Sequence, residues 1–278
     1  MVRAVPAKGP AQRKSQPPPP PPQAVAGTRS HFASTPLVRH LGSWAPVAAA
    51  EGASMDFAER LSLWVGPVEA IALQATLQSL RQVSAPHAGT RAQRHALDDD
   101  IARVRAALAQ AIAQDPLPPP ALGADRAQDA AWPTYLQRHM DLQRRMDRLI
   151  DPLRDHVRQA LSRTSARLRQ LAALDTVLAQ TLALRQERLL PTPPSLLQRR
   201  YEQLRQAHLQ ALKAREVDAG ADATALDDPA HWRASGAWLH RFEQDWRQAL
   251  LAEVDLRLEP VRGLAEALGS PDMTPLTP

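Results

Sequence analysis

Apolar residues recur through the middle of the chain at Ile150, Leu153, Val157, Leu161, Thr164, Leu168, Leu171, Leu174, Leu178 and Leu182. Steps of three and four lay them along one side of a helix. No glycine falls between Trp132 and Leu190, and leucine, alanine, arginine and glutamine fill the stretch with good helix formers. Pro152 interrupts the stripe: it lacks the N–H that would bond the carbonyl of Arg148, at roughly 3 kcal/mol inside a helix. Asp151 suits an N-cap and proline suits the first helical turn. The pattern therefore predicts a helix from about Pro133 to Ile150, a kink or restart, and a second helix to about Leu189.

The same period appears on both sides of this stretch. Thr35 and Pro36 open a short helix carrying Leu37, Val38, Leu41 and Trp44. A second helix opens near Ser54 or Asp56 with the stripe Phe57, Leu61, Trp64, Val68, Ile71 and Ala75, bent at Gly66-Pro67. Its span between Arg60 and Arg81 holds one charge, Glu69, but the glutamines, Pro67 and the regular stripe favour a core helix over a membrane span. Asp98, Asp99 and Asp100 precede Ile101, Val104, Leu108 and Ala111; a helix dipole explains a triple aspartate at an N-terminus more economically than a divalent metal does. After Leu190, the run PTPPS stops and restarts the chain. Folded back antiparallel, the helix with Leu197, Tyr201 and Leu204 meets Leu178 and Leu182. Asp228 and Pro229 start the last helix, whose stripe is Leu239, Phe242, Trp246, Leu250 and Val254; Pro260 kinks it before Val261, Leu264 and Leu268, and Gly269 ends it.

These elements predict an all-α fold: an elongated bundle of long antiparallel helices over 132–269, with a smaller helical unit over 34–115. A proline-rich linker over 116–131 separates the two. Residues 1–30 form a disordered basic proline-rich arm, with six prolines at 17–22 in polyproline II, and 270–278 a disordered tail.

Charge changes this picture in one place. Residues 1–50 carry six basic side chains and no acid, while the other 228 carry 28 basic and 29 acidic ones, so the net charge of +5 is the sum of +6 and −1. The folded body thus has no overall electrostatic case for nucleic acid, and the arm is the place where polyanions would bind. Arginine outnumbers lysine thirty-one to three and asparagine is absent, a codon bias before it is a binding signal. The absence of cysteine excludes disulfides, thiolate metal sites and cysteine nucleophiles. No apolar core of a signal peptide follows Met1.

Motifs for catalysis are missing: no GxSxG, no phosphate-cradling glycine loop, no GxGxxG and no HExxH. His240 and Glu243, three apart, have the spacing of half a di-iron motif in reversed order and are expected to be surface neighbours. Nine arginines and four aspartates between Arg138 and Arg169 flank the stripe as a charge-laced, solvated face. Trp232, Trp238, Phe242 and Trp246 gather four of the chain's eleven aromatics within fifteen residues. Phe242 and Trp246 lie in the stripe, which favours a core, yet tryptophan also anchors interfaces; these four are the candidate partner-binding residues. No catalytic, cofactor-binding or metal-binding residue is expected.

The segments TRSHFASTPLVRHLGSW, FAERLSLWVGPVEAIALQATL, IARVRAALAQAI, LAALDTVLAQTLALRQERLLPTPPSLLQRRYEQLR and WLHRFEQDWRQALLAEVDLRLEPV resemble a family of uncharacterised bacterial helical proteins known only as a domain of unknown function. The resemblance covers roughly residues 28–268 and leaves out the six-proline arm. It implies a cytoplasmic protein, peripheral to the inner membrane. Genes of this family are associated with channel proteins of the flagellar-stator or TolQ/ExbB type and with OmpA-like envelope proteins. The function expected is a non-enzymatic scaffold or adaptor that docks helix on helix to protein partners, such as a membrane channel or envelope complex. Self-association is compatible with it. The rivals are a nucleic-acid-binding protein using the arm and a metal-dependent helical-bundle enzyme. Neither a cofactor nor a small-molecule substrate is expected.

Overall fold

The structure, a computed structural model, describes residues 35–44, 91–114, 130–189, 192–219, 227–229 and 231–269, together with a few positions between 66 and 78. The expected arm, the bend at Gly66-Pro67, most of the 116–131 linker and the tail lie outside the described residues. Among the described residues six helix elements are delimited: α1 (Pro36–Gly42), α2 (Arg91–Ala113), α3 (Trp132–Ser162), α4 (Ala166–Leu189), α5 (Thr192–Ala219) and α6 (Trp238–Gly269). The protein is all-α, with no strand element among the described residues.

α1 forms as its sequence dictates: Thr35 accepts a hydrogen bond from the Val38 amide at 3.4 Å and Pro36 occupies the first turn. α2 begins at Arg91, so the three aspartates lie in its third turn and not at its N-terminus. The dipole reading is corrected accordingly. Asp98 instead pairs with Arg94, and Asp100 with Arg103 and with His156 of α3.

α3 runs unbroken through Pro152, and α6 through Pro260. The expected restart at Asp151-Pro152 is therefore wrong. Pro152 is solvent-exposed, whereas Leu153, Val157 and Leu161 just beyond it are buried, and their packing outweighs one lost backbone bond. The real break lies eleven residues later, at Arg163–Ser165, and hydroxyl groups make it. Ser162 donates to the Arg158 carbonyl and Thr164 to that of Ala160, both at 2.8 Å, while Ser165 accepts from the Leu168 amide as the cap of α4. The long stripe thus folds on itself: Asp175 of α4 comes back to Arg154 and Arg158 of α3. These two arginines are largely covered, so the charged flank of α3 is not wholly solvated.

Pairings give the directions. Arg138 reaches the Ala111 carbonyl while His156 reaches Asp100, so α2 and α3 are antiparallel. Tyr201 packs on Phe242 and His208 on Trp238, so α5 and α6 are antiparallel too. But Tyr135 pairs with Glu243, Gln143 with Glu253 and Asp147 with Arg257: α3 and α6 lie side by side and run the same way. This corrects the uniformly antiparallel bundle. α4 and α5 both run opposite to α3 and α6, so PTPPS restarts the helix without reversing it. Leu197 and Tyr201 are buried, and Tyr201 packs on Trp238 and Phe242 of α6 and on Trp132 at the start of α3.

α6 is the hub, packed against each of the other five helices. Its stripe from Leu239 to Leu268 is buried as expected, but it begins at Trp238, after turns over 231–237 in which Gly236 adopts φ 81°. Leu37 and Leu41 of α1 and Leu97, Ile101 and Leu108 of α2 share one buried cluster with α3, α5 and α6. The described part of 34–115 thus contributes to the same core as 132–269.

Candidate functional site

Where α3 lies along α6, the seam is polar in places that a core would normally make apolar. α3 presents Tyr135, His139, Gln143 and Asp147, each one turn after the last. α6 answers with Glu243, Glu253 and Arg257. Arg257 stands eighteen residues, about five turns, after Leu239, so it and both glutamates fall inside the apolar stripe.

Two carboxylates are sealed here. Glu243, 2% exposed, accepts from the Tyr135 hydroxyl at 2.7 Å and from Arg233 Nε at 2.9 Å, with Arg247 at 3.7 Å. Burial, and then the Glu243 charge, hold the Tyr135 hydroxyl protonated far above the ordinary tyrosine range. Glu253, 5% exposed, gathers its partners on one oxygen: Oε1 accepts from Gln143 at 3.0 Å and from Arg257 at 2.7 Å. Arg257 extends the chain of contacts to Asp147. Oε2 of Glu253 faces His139 Nε2 across 4.0 Å. His139 is 1% exposed and neither ring nitrogen has a hydrogen-bond partner. Burial lowers its pKa below the ordinary histidine value; Glu253 opposes that and Arg257 adds to it.

Chemically the seam favours one register of α3 on α6, since Tyr135, Gln143 and Asp147 meet Glu243, Glu253 and Arg257 only when each stands opposite its partner. It places the neutral His139 imidazole beside the second carboxylate oxygen of Glu253. Among the described residues, no three His, Asp or Glu side chains approach closely enough to hold a metal ion.

The four aromatic residues singled out from sequence are all buried. Trp232 packs on Trp238 (5.4 Å between rings), Trp238 on Tyr201 (5.3 Å), and Phe242 edge-on against Tyr135 (5.1 Å). Trp246 stands 6.1 Å from Tyr135. They form an aromatic part of the core. His240 and Glu243 do not behave as surface neighbours: Glu243 is the sealed carboxylate, and the His240 backbone amide donates to the Trp232 carbonyl. The sequence reading missed Tyr135, His139 and Glu253. The available signal was charge inside a stripe, at Glu243, Glu253 and Arg257.

Among the described residues no helix is long and apolar enough to cross a membrane. A family model described as "Protein of unknown function (DUF3348)" matches residues 24–270. No curated protein and no solved structure matches the chain.

Proposed function

We propose a function for a chain that belongs to the DUF3348 family: it is a non-enzymatic scaffold or adaptor that binds a protein partner helix on helix. The observation that supports this is the state of α4. Leu174, Val177, Leu178 and Leu182 are only half-buried and lie outside the main core cluster. Asp175 marks the side of α4 turned to α3, and Val177 projects about 160° away from it. Leu174 is as far from the buried Ala172. Apolar side chains on the outward side of a helix suit the groove of a second helical protein. The partner we favour is the cytoplasmic part of an ion-driven envelope complex, following the family resemblance.

The test uses the tagged full chain and a Leu174→Glu/Val177→Glu variant, each recovered from native membranes. The variant is expected to keep its helical content and to melt within a few degrees of the wild type, yet to lose a partner that wild type captures. Capture that survives in the folded variant overturns the reading. So does a set of captured proteins without an envelope-complex component.

A further inference from the structure

We propose that His139 is a proton switch for the α3–α6 seam, with Glu253 as the carboxylate it recruits. Three geometric facts carry this. The imidazole is 1% exposed and unpartnered at both nitrogens, so its hydrogen-bonding capacity is idle in the neutral state. Glu253 spends Oε1 on both Gln143 and Arg257 and turns Oε2 toward His139. The 4.0 Å between them is roughly an ångström longer than a charge-assisted hydrogen bond, so a small shift closes it.

The charges around the ring are few. From α6, Glu253 and Arg257 face it. On its own helix, Asp147 is held by Arg257, and Arg138 is engaged with the Ala111 carbonyl. From α2, Asp100 is engaged with Arg103 and His156, and Arg105 with Asp255. From α5, Arg200 is engaged with Asp245. Among the described carboxylates, Glu253 is the one that faces the ring and can accept from it when protonated. When His139 takes a proton, the imidazolium draws Oε2 toward α3 and Glu253 is shared between His139 and Arg257. That sharing weakens the hold of Glu253 on Arg257. Neutral and protonated His139 thus select two arrangements of one carboxylate, and acid shifts the seam from the first to the second.

The sign follows from burial. The folded chain keeps His139 neutral to a lower pH than the unfolded chain, whose histidine titrates near 6.5. The unfolded state therefore binds more protons as pH falls below about 6.5, and stability declines until His139 is protonated in the folded state as well.

The experiment is a pH titration of the full chain with labelled histidine, followed by NMR from pH 8 to 4.5 in wild type, His139→Gln and Glu253→Gln. The expected result is one imidazole, missing in His139→Gln, that titrates below 6.5 while the protein stays folded. The Gln143 side-chain amide shifts with the same midpoint. In Glu253→Gln the midpoint falls by about one pH unit or more, because the recruited charge is gone. An imidazole that stays neutral until unfolding overturns the proposal, as does a midpoint indifferent to Glu253→Gln. If that variant does not fold, wild type decides alone: a Gln143 amide that ignores the His139 midpoint overturns it.

Discussion

α6 and α4 are both long and rich in leucine and alanine, and the stripe in each repeats with the same three-and-four rhythm. Yet α6 seals side chains on contacts with five helices, while Ala172 alone is buried among the described side chains of α4. The difference is not hydrophobicity. α6 carries Phe242 and Trp246, whose large rings need partners from α3 and α5, and carboxylates inside its stripe, Glu243 and Glu253, that also take hydrogen bonds from Tyr135 and Gln143 of α3. α4 has small or flexible apolar residues on several sides, and the charges it turns to α3 are Asp175, held by Arg154 and Arg158, and Arg169, which donates to the Ser162 carbonyl. A regular stripe thus says that a helix can be covered; bulk and buried charge decide how completely it is.

Truncation tests this contrast most severely at Trp246. It is fully buried, so Trp246→Ala is expected to cost about 3–5 kcal/mol in a denaturant titration. A loss below about 1 kcal/mol would place the hub elsewhere. Next comes the clasp between α3 and α4. Asp175→Asn removes the charge that Arg154 and Arg158 share at a partly covered site, and about 1–2 kcal/mol is expected by the same measurement. No change at all would mean that the hairpin is held by leucine packing alone. The smallest effect belongs to Leu178→Ala, expected below about 1 kcal/mol against the 2–5 kcal/mol of a fully buried leucine. A cost as large as that at Trp246 would show α4 to be as sealed as α6 and remove the face on which the adaptor reading depends.

Local signals were legible and long-range ones were not. Thr35-Pro36 announced α1, and the spacing from Leu239 to Leu268 gave the buried face of α6, because caps and periodicity act within a few residues. Pro152 misled: its cost is local, and the packing of Leu153 and Val157 that overrides it comes from other helices. The break at Ser162–Ser165 hid in a polar run, since serine and threonine end a helix only when their hydroxyls turn back to the carbonyls before them. The polar seam was half legible. Glu243 and Glu253 sit at stripe positions, but their partners Tyr135 and Gln143 lie more than a hundred residues away, and no short-range rule links the two.

The hub also sets a timetable for synthesis. α6 is the last of the six described helices to leave the ribosome, so each of the others emerges before its contacts with α6 can form. His40 waits for Asp245, 205 residues downstream, and Tyr135 for Glu243, 108 downstream. Loops of that length make contact slow. Through most of translation the leucines of α2 and α3 and the rings of Tyr135 and Tyr201 stand without their partner, the condition in which nascent chains need chaperones. A chain halted before Trp238 would keep five helices and lose the element that joins them.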